Sequence, residues 1–400
     1  MVSNLCNRIE LLDAHTALFF LSNYAAAPRL SYLLRTAPFY KNATSLNAID
    51  QKVRTTASQI TNVSLDDNQW KQASLPVRHG GLGLRSITQL SLPCHISSMH
   101  QTLPLTRKIL NSPDLQPSSL TEAESQFLSR YPGSQAPSED KASSQRQWDE
   151  LANLKEFSHL INSANQVHSA RLLAAASPHT GAWLQALPSS ALGLHLDRET
   201  IRINVALRLG ATVCEPHQCR CSKFVDSLGH HGLSCKKSAG RLPRHSNLND
   251  VVKRSLSSMG TPSRLEPVGL DRGDGKRPDG ITTFPFSGGK YLCWDSTCGD
   301  TFAPSIIHES ATNAGSAANK AEERKRQHYQ NLETRYRFEP LAFETTGVYG
   351  KSTAKLVSEI GRKITGATGD KRETHWLRQR ISVAIARGNA ASVLNTGLES

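Results

Sequence analysis

The chain has 400 residues, length enough for two to four domains, and a formal net charge of +13. Residues 201–400 hold 30 Lys/Arg against 19 Asp/Glu and so carry +11 of that charge, a balance that suits a polyanionic partner, nucleic acid before others. The most apolar run, 11–34, is broken by Asp13, His15, Asn23, Pro28 and Arg29, which excludes a membrane span there, and the first residues lack the basic stretch and cleavage site of a signal peptide.

Along the chain, Leu11, Leu12, Leu18, Phe19, Leu30, Leu33 and Leu34 recur at near-helical spacing, so residues 1–60 read as helical with breaks at Pro28 and Pro38. Asp66-Asp67 reads as a loop, and Gly80, Gly81 and Gly83 permit a tight one after it. The Ser, Pro, Gln and Glu of 111–147 predict a flexible linker or a weakly ordered excursion. Helical spacing resumes over 148–175, and Asp197 caps a further helix that ends at Gly210. Past residue 240 the pattern predicts a helix capped by Ser246 with Leu248, Val251, Val252 and Leu256 on one face. A strand over 264–270, a hairpin over 280–296, a helix over 316–332, a strand over 338–345 and helices over 352–365 and 375–388 follow. Helix, three strands, helix, strand is an α/β order around one mixed sheet. The expected class is α+β overall: a helical N-terminal half, a small zinc knuckle and an α/β mixed sheet.

Four of the eight cysteines fall at Cys214, Cys219, Cys221 and Cys235, beside His217, His230 and His231. Such clustering points to metal rather than disulfides. Cys219, Cys221, Cys235 and either His231 or His230 can close a tetrahedral zinc site, with Cys214 and His217 as spare ligands.

Gly275-Lys276-Arg277-Pro278-Asp279-Gly280 and Trp294-Asp295 flank the predicted hairpin, turned by Ser287-Gly288-Gly289. That turn sets Asp279 opposite Asp295, and two adjacent carboxylates suit Mg²⁺ or Mn²⁺. A site of this type commonly adds a lysine two residues beyond the second acid, where this chain has Thr297. The lysine must then come from the helix over 316–332, where Lys325 shares a face with Glu322 and Tyr329; Lys320 is the second choice. Asp250 and Asp300 are further candidate acids. Arg244, His245, Arg277, Lys325 and Arg326 are candidates to grip phosphates.

In order, Cys219-x-Cys221, His231-x3-Cys235, Arg244-His245, Arg277-Pro278-Asp279, Asp295 and Lys325-x3-Tyr329 resemble the C-terminal part of non-LTR retrotransposon polyproteins that carry a restriction-like endonuclease. In that family a CCHC zinc knuckle precedes a PD-(D/E)xK nuclease whose lysine has moved to a helix. Residues 28–38 and 70–85 are similar to the family's segment after the reverse-transcriptase palm. The resemblance implies a thumb-like region over 1–95, a helical linker over 96–210, a zinc knuckle over 211–243, the endonuclease over 244–370, and a C-terminal helix and tail over 371–400. It implies structural Zn²⁺ and catalytic Mg²⁺ or Mn²⁺. Its partners are target DNA and element RNA, and its place is the nucleus. The aromatic-x-Asp-Asp motif of a palm is missing, so the expectation is a truncated element without polymerase activity. The competing expectation is an inactive nucleic-acid-binding remnant.

Overall fold

The structure, a computed structural model, describes residues 1–270 and 277–397; Gly275 and Lys276 of the run that leads to Asp279 lie outside the described residues. The chain divides into two compact units, Met1–Ser163 and Ala164–Ser400. The division falls inside the stretch 96–210 read as one linker. Residues 164–210 join the second unit because Asn204 donates to the Ala386 carbonyl at 2.9 Å and Ser382 accepts from the Trp183 amide at 3.1 Å.

The first unit is helical: Val2–Ile9 (α1), Ala14–Phe20 (α2), Ala27–Thr36 (α3), Ala43–Thr61 (α4), Asp67–Ser74 (α5), Ile87–Ile109 (α6), Ser118–Arg130 (α7), Glu139–Ala142 (α8) and Gln145–Asn162 (α9). Pro28 opens α3 rather than breaking it, since the first turn of a helix needs no amide there. Asp66 is the N-cap of α5, in a reciprocal capping box with Gln69, and Asp67 pairs with Arg54 at 2.8 Å. The two acids start a helix instead of standing in a loop.

The flexible linker expected over 111–147 is also corrected. Leu120, Ala123 and Phe127 fall on one face of α7 and pack with Ala142 and Trp148 in a core shared with α6. Phe127 meets Trp148 edge to face at 5.1 Å, and the Trp148 indole donates to the Ala142 carbonyl at 2.8 Å. A few large apolar groups at helical spacing outweighed the polar composition around them.

The second unit begins with Gln166–Ala175 (α10) and Arg198–Leu209 (α11), the latter capped by Asp197 and closed by Gly210 as expected. A small hairpin, His217–Gln218 (β1) with Phe224–Val225 (β2), leads to His230–Ser234 (α12). Arg241–Ser258 (α13) follows and starts earlier than the Ser246 cap suggested. Then come Ser263–Leu265 (β3), Gly280–Thr282 (β4), Leu292–Gly299 (β5), Ile307–Ser310 (α14), Ser316–His328 (α15), Arg337–Glu344 (β6), Lys351–Thr368 (α16) and Glu373–Leu394 (α17). The four-stranded sheet runs β3-β4-β5-β6, antiparallel at the first two junctions and parallel at the last. The unit is therefore mixed α and β, around one mixed sheet.

Alternation along β5 and β6 sorts the two faces. Leu292, Trp294, Leu341 and Phe343 pack with Leu248, Val252 and Leu256 of α13 and with α16 and α17. On the other face Cys293 packs with Tyr329, and Ala342 with Ala318 and Ala321 of α15. Asp295 belongs to the α15 face. Among the described residues no helix is long and apolar enough to cross a membrane.

Candidate metal centre and carboxylate site

β1, β2 and α12 build the first site. The Cys219 amide donates to the Lys223 carbonyl at 2.9 Å, with Ser222 at φ +67° in the turn, so Cys219 and Cys221 stand side by side. The short α12 brings His231 and Cys235 to them. The ligand atoms of Cys219, Cys221, His231 and Cys235 all lie within 4.8 Å of one another. Cys219 and Cys235 sulfurs are 3.6 Å apart, and His231 Nε2 is 3.1 Å from the Cys221 sulfur. Two thiolates on one tetrahedral Zn²⁺ stand about 3.8 Å apart, so the donor set and spacing suit a metal such as zinc. The Lys223 amide is the main influence holding the Cys221 thiol below its ordinary value, while burial pushes Cys235 up to about 11.

The geometry chooses between the histidines. His230 stacks on Phe302 at 3.9 Å and 4°, and burial pushes its imidazole down to about 4. It is a core group, not the alternative ligand. The spare ligands are also placed elsewhere: Cys214 meets the Asp226 carbonyl, and the His217 ring is held between the Glu215 carbonyl and the Thr396 hydroxyl.

The second site is built on the β4–β5 hairpin. Gly288 and Gly289, both at positive φ, make its turn, and the register pairs Gly280 with Trp294. Only glycine fits at 280, since a Cβ there would stand 2.1 Å from the Trp294 ring. The Asp279 amide donates to the Trp294 carbonyl at 2.9 Å, which extends the ladder and sets Asp279 opposite Asp295.

From α15, Lys325 Nζ donates to Asp295 Oδ1 at 2.7 Å, and Tyr329 hydrogen bonds the same carboxylate. Glu322, one turn earlier, is buried and accepts from the Ser352 and Thr353 amides and the Thr353 hydroxyl. It caps α16 and fixes the position of α15, and hence of Lys325. From α13, His245 Nε2 donates to Asp279 Oδ1 at 3.1 Å, and the Ser296 amide donates to Oδ2 at 2.6 Å.

Burial pushes the Asp279 carboxyl up, but hydrogen bonds from His245, the Ser296 amide and Asn249 together outweigh it and hold the group below its ordinary value. Asp295 goes the other way: burial raises it, the neighbouring Asp279 charge adds to that, and Lys325 opposes. The hydrogen bond to Asp279 raises His245. The two acids thus titrate apart, as paired carboxylates with different surroundings do.

Several candidates fall outside this cluster. Asp250 pairs with Arg254 at 2.7 Å on the exposed side of α13. Lys320 pairs with Glu309 on the surface. Asp300 accepts from the Phe302 amide at 3.1 Å, a turn contact. Arg244 is buried and donates to Asn389 and the Leu233 carbonyl, so it ties α13 to α17 instead of meeting phosphate. Arg277 pairs with Glu266, and Arg326 with Glu333 and Glu339, in exposed contacts away from the two acids. His245 holds a carboxylate rather than a phosphate.

Sequence reasoning missed Asn249. Its Oδ1 accepts from the Trp294 indole at 3.0 Å and from the Ser296 hydroxyl at 2.7 Å, and its amide nitrogen lies 3.2 Å from His245 Nε2 and helps hold Asp279 below its ordinary value. Those bonds lock Asp279 to the core. The available signal was a polar residue one turn after His245 on the inward side of an apolar-faced helix. No protein-family model and no curated protein matches this chain.

Proposed function

We propose that this chain is the metal-dependent DNA endonuclease portion of a non-LTR retrotransposon protein, acting in the nucleus. It would nick target DNA so that the freed 3′-hydroxyl primes reverse transcription. The observation that carries the reading is the Lys325–Asp295 contact: a helix-borne lysine meets the second of two cross-strand acids, the arrangement the resemblance requires when position 297 is Thr. The order α13, β3, β4, β5, α14, α15, β6, behind a Cys₃His cluster, supports a restriction-endonuclease-like domain following a zinc knuckle.

In this reading zinc on Cys219, Cys221, His231 and Cys235 is structural. Asp279 and Asp295 would hold one Mg²⁺ or Mn²⁺, which would supply a lowered pKa for a coordinated water and neutralisation of charge on the phosphate. Lys325 orients the attacking water and Tyr329 keeps the Asp295 carboxylate in place. His245 and Asn249 keep Asp279 ionised and aligned. Target DNA, and element RNA, are the partners. The chain carries no palm motif, so no primer extension is expected of it.

A second reading has its own support. Both acids already face a cation, Lys325 or His245, so the cluster is charge-compensated by the protein alone. A nucleic-acid-binding remnant would tolerate that arrangement. Incubating the full chain with supercoiled plasmid separates the two. The endonuclease nicks in Mg²⁺ or Mn²⁺ and binds without nicking in Ca²⁺, whose looser coordination places water poorly. Tight, salt-sensitive binding without nicking in any of the three ions favours the remnant.

A further inference from the structure

α13 has a second polar side. Arg254 lies nine residues beyond His245, about 180° around the helix, so it points away from the carboxylates. There α13 and α17, with the turn at 191–193, enclose a groove of about 510 Å³ lined by Asn247, Asp250, Arg254, Arg380 and Arg387. Three guanidiniums face one carboxylate. The Arg254–Asp250 pair is exposed, and such a pair is worth little in water, so an anion can displace it. Arg387 donates one N–H to the His195 carbonyl at 2.7 Å and keeps further donors of its fork. Arg380 is exposed and has no ion-pair partner among the described residues.

Arg380 and Arg387 are seven residues apart on one face of α17, about 10 Å along the axis. That distance spans about three phosphates of a strand at 3.4 Å each. We infer that this groove grips the phosphodiester backbone of a nucleic acid, as a second contact on the far side of α13 from Asp279 and Asp295. The inference rests on the nucleic-acid reading above but not on cleavage. An isolated phosphate would need only one of the arginines, and three of them around one groove suit a chain of charges.

The test is fluorescence anisotropy of a labelled duplex with the full chain in Ca²⁺ buffer, over a salt series from about 50 to 200 mM. In the Arg380→Gln/Arg387→Gln double variant the log–log salt slope becomes shallower by about 2, and affinity at the low-salt end falls about tenfold. The Arg380→Lys/Arg387→Lys variant, which keeps the charge, recovers most of the slope. Zinc content and nicking at saturating DNA stay at the wild-type level. A slope and affinity unchanged in the double glutamine variant overturn the inference, as does an arginine dependence seen for polyglutamate but not for DNA. Loss of the slope change with nicking intact counts against the groove alone. Absence of nicking with the slope change intact counts against the carboxylate site alone.

Discussion

The cysteine–histidine cluster and the carboxylate pair lie in the same unit, and their donors face different things. In the cluster the donors face one another: Cys219 with Cys235 at 3.6 Å, Cys221 with His231 at 3.1 Å. In the carboxylate site each acid faces a cation: Asp295 with Lys325 at 2.7 Å, Asp279 with His245 at 3.1 Å. Three thiols and an imidazole that converge in this way could share one metal, to which the local fold would then be coupled. Two acids already compensated by the protein keep their geometry without a metal, and a divalent ion there must compete with Lys325. The first arrangement suits a structural metal such as zinc; under the proposed function the second would take an exchangeable ion.

The sharpest break in that comparison is Cys235→Ser. One bound Zn²⁺ per chain is expected in the wild type and none in the variant, and residues 211–243 become open to limited proteolysis while the sheet persists. Zinc analysis with peptide mapping reads both. A variant that keeps a full equivalent of zinc would contradict the four-ligand assignment.

Next is the lysine. Lys325→Met is expected to slow nicking about 100-fold or more, the scale of a positioned proton-transfer or charge-stabilising group. Lys320→Met, whose partner is the surface Glu309, changes the rate less than about twofold, since exposed pairs contribute little. Single-turnover rates compare the two; equal losses would move the site away from Asp295.

The smallest effect concerns pH. His245 is raised above its ordinary value by its bond to Asp279, so the stability it contributes is fully present below about pH 6.5 and is lost as pH rises through the raised value. Asp279 is lowered, so its contribution is present above about pH 3.9 and fails only in stronger acid. His245→Asn therefore costs more at pH 6 than at pH 9, by under about 1 kcal/mol because the imidazole is partly exposed. Denaturant melts at the two pH values measure it; a cost that grows with pH has the wrong sign for this pair.

These two regions also differ in how far the sequence disclosed them. Ligand spacing was enough to gather the cluster, but the choice of His231 over His230 depended on Phe302, distant in sequence, taking His230 into a stack. The hairpin register followed from alternation and the Gly288-Gly289 turn, which is why Asp279 met Asp295 as expected. Lys325 was legible because residues four apart on a helix share a face with Tyr329. Asn249 was not, since its meaning lies in bonds to Trp294 and Ser296 across the core. Arg244 was misread for a related reason: a basic residue beside the site reads as a phosphate ligand until Asn389 and the Leu233 carbonyl are seen to hold it. The α7 core around Phe127 escaped notice because composition averages over the few positions that pack.

The most direct test of the account is nicking of supercoiled DNA by the wild type, Asp279→Ala and Asp295→Ala, each in Mg²⁺ and Mn²⁺, with duplex affinity measured alongside. Nicking by the wild type, its loss in both variants and affinity within about twofold throughout are the predicted result, because the basic contacts lie elsewhere. Nicking that survives both substitutions would contradict it.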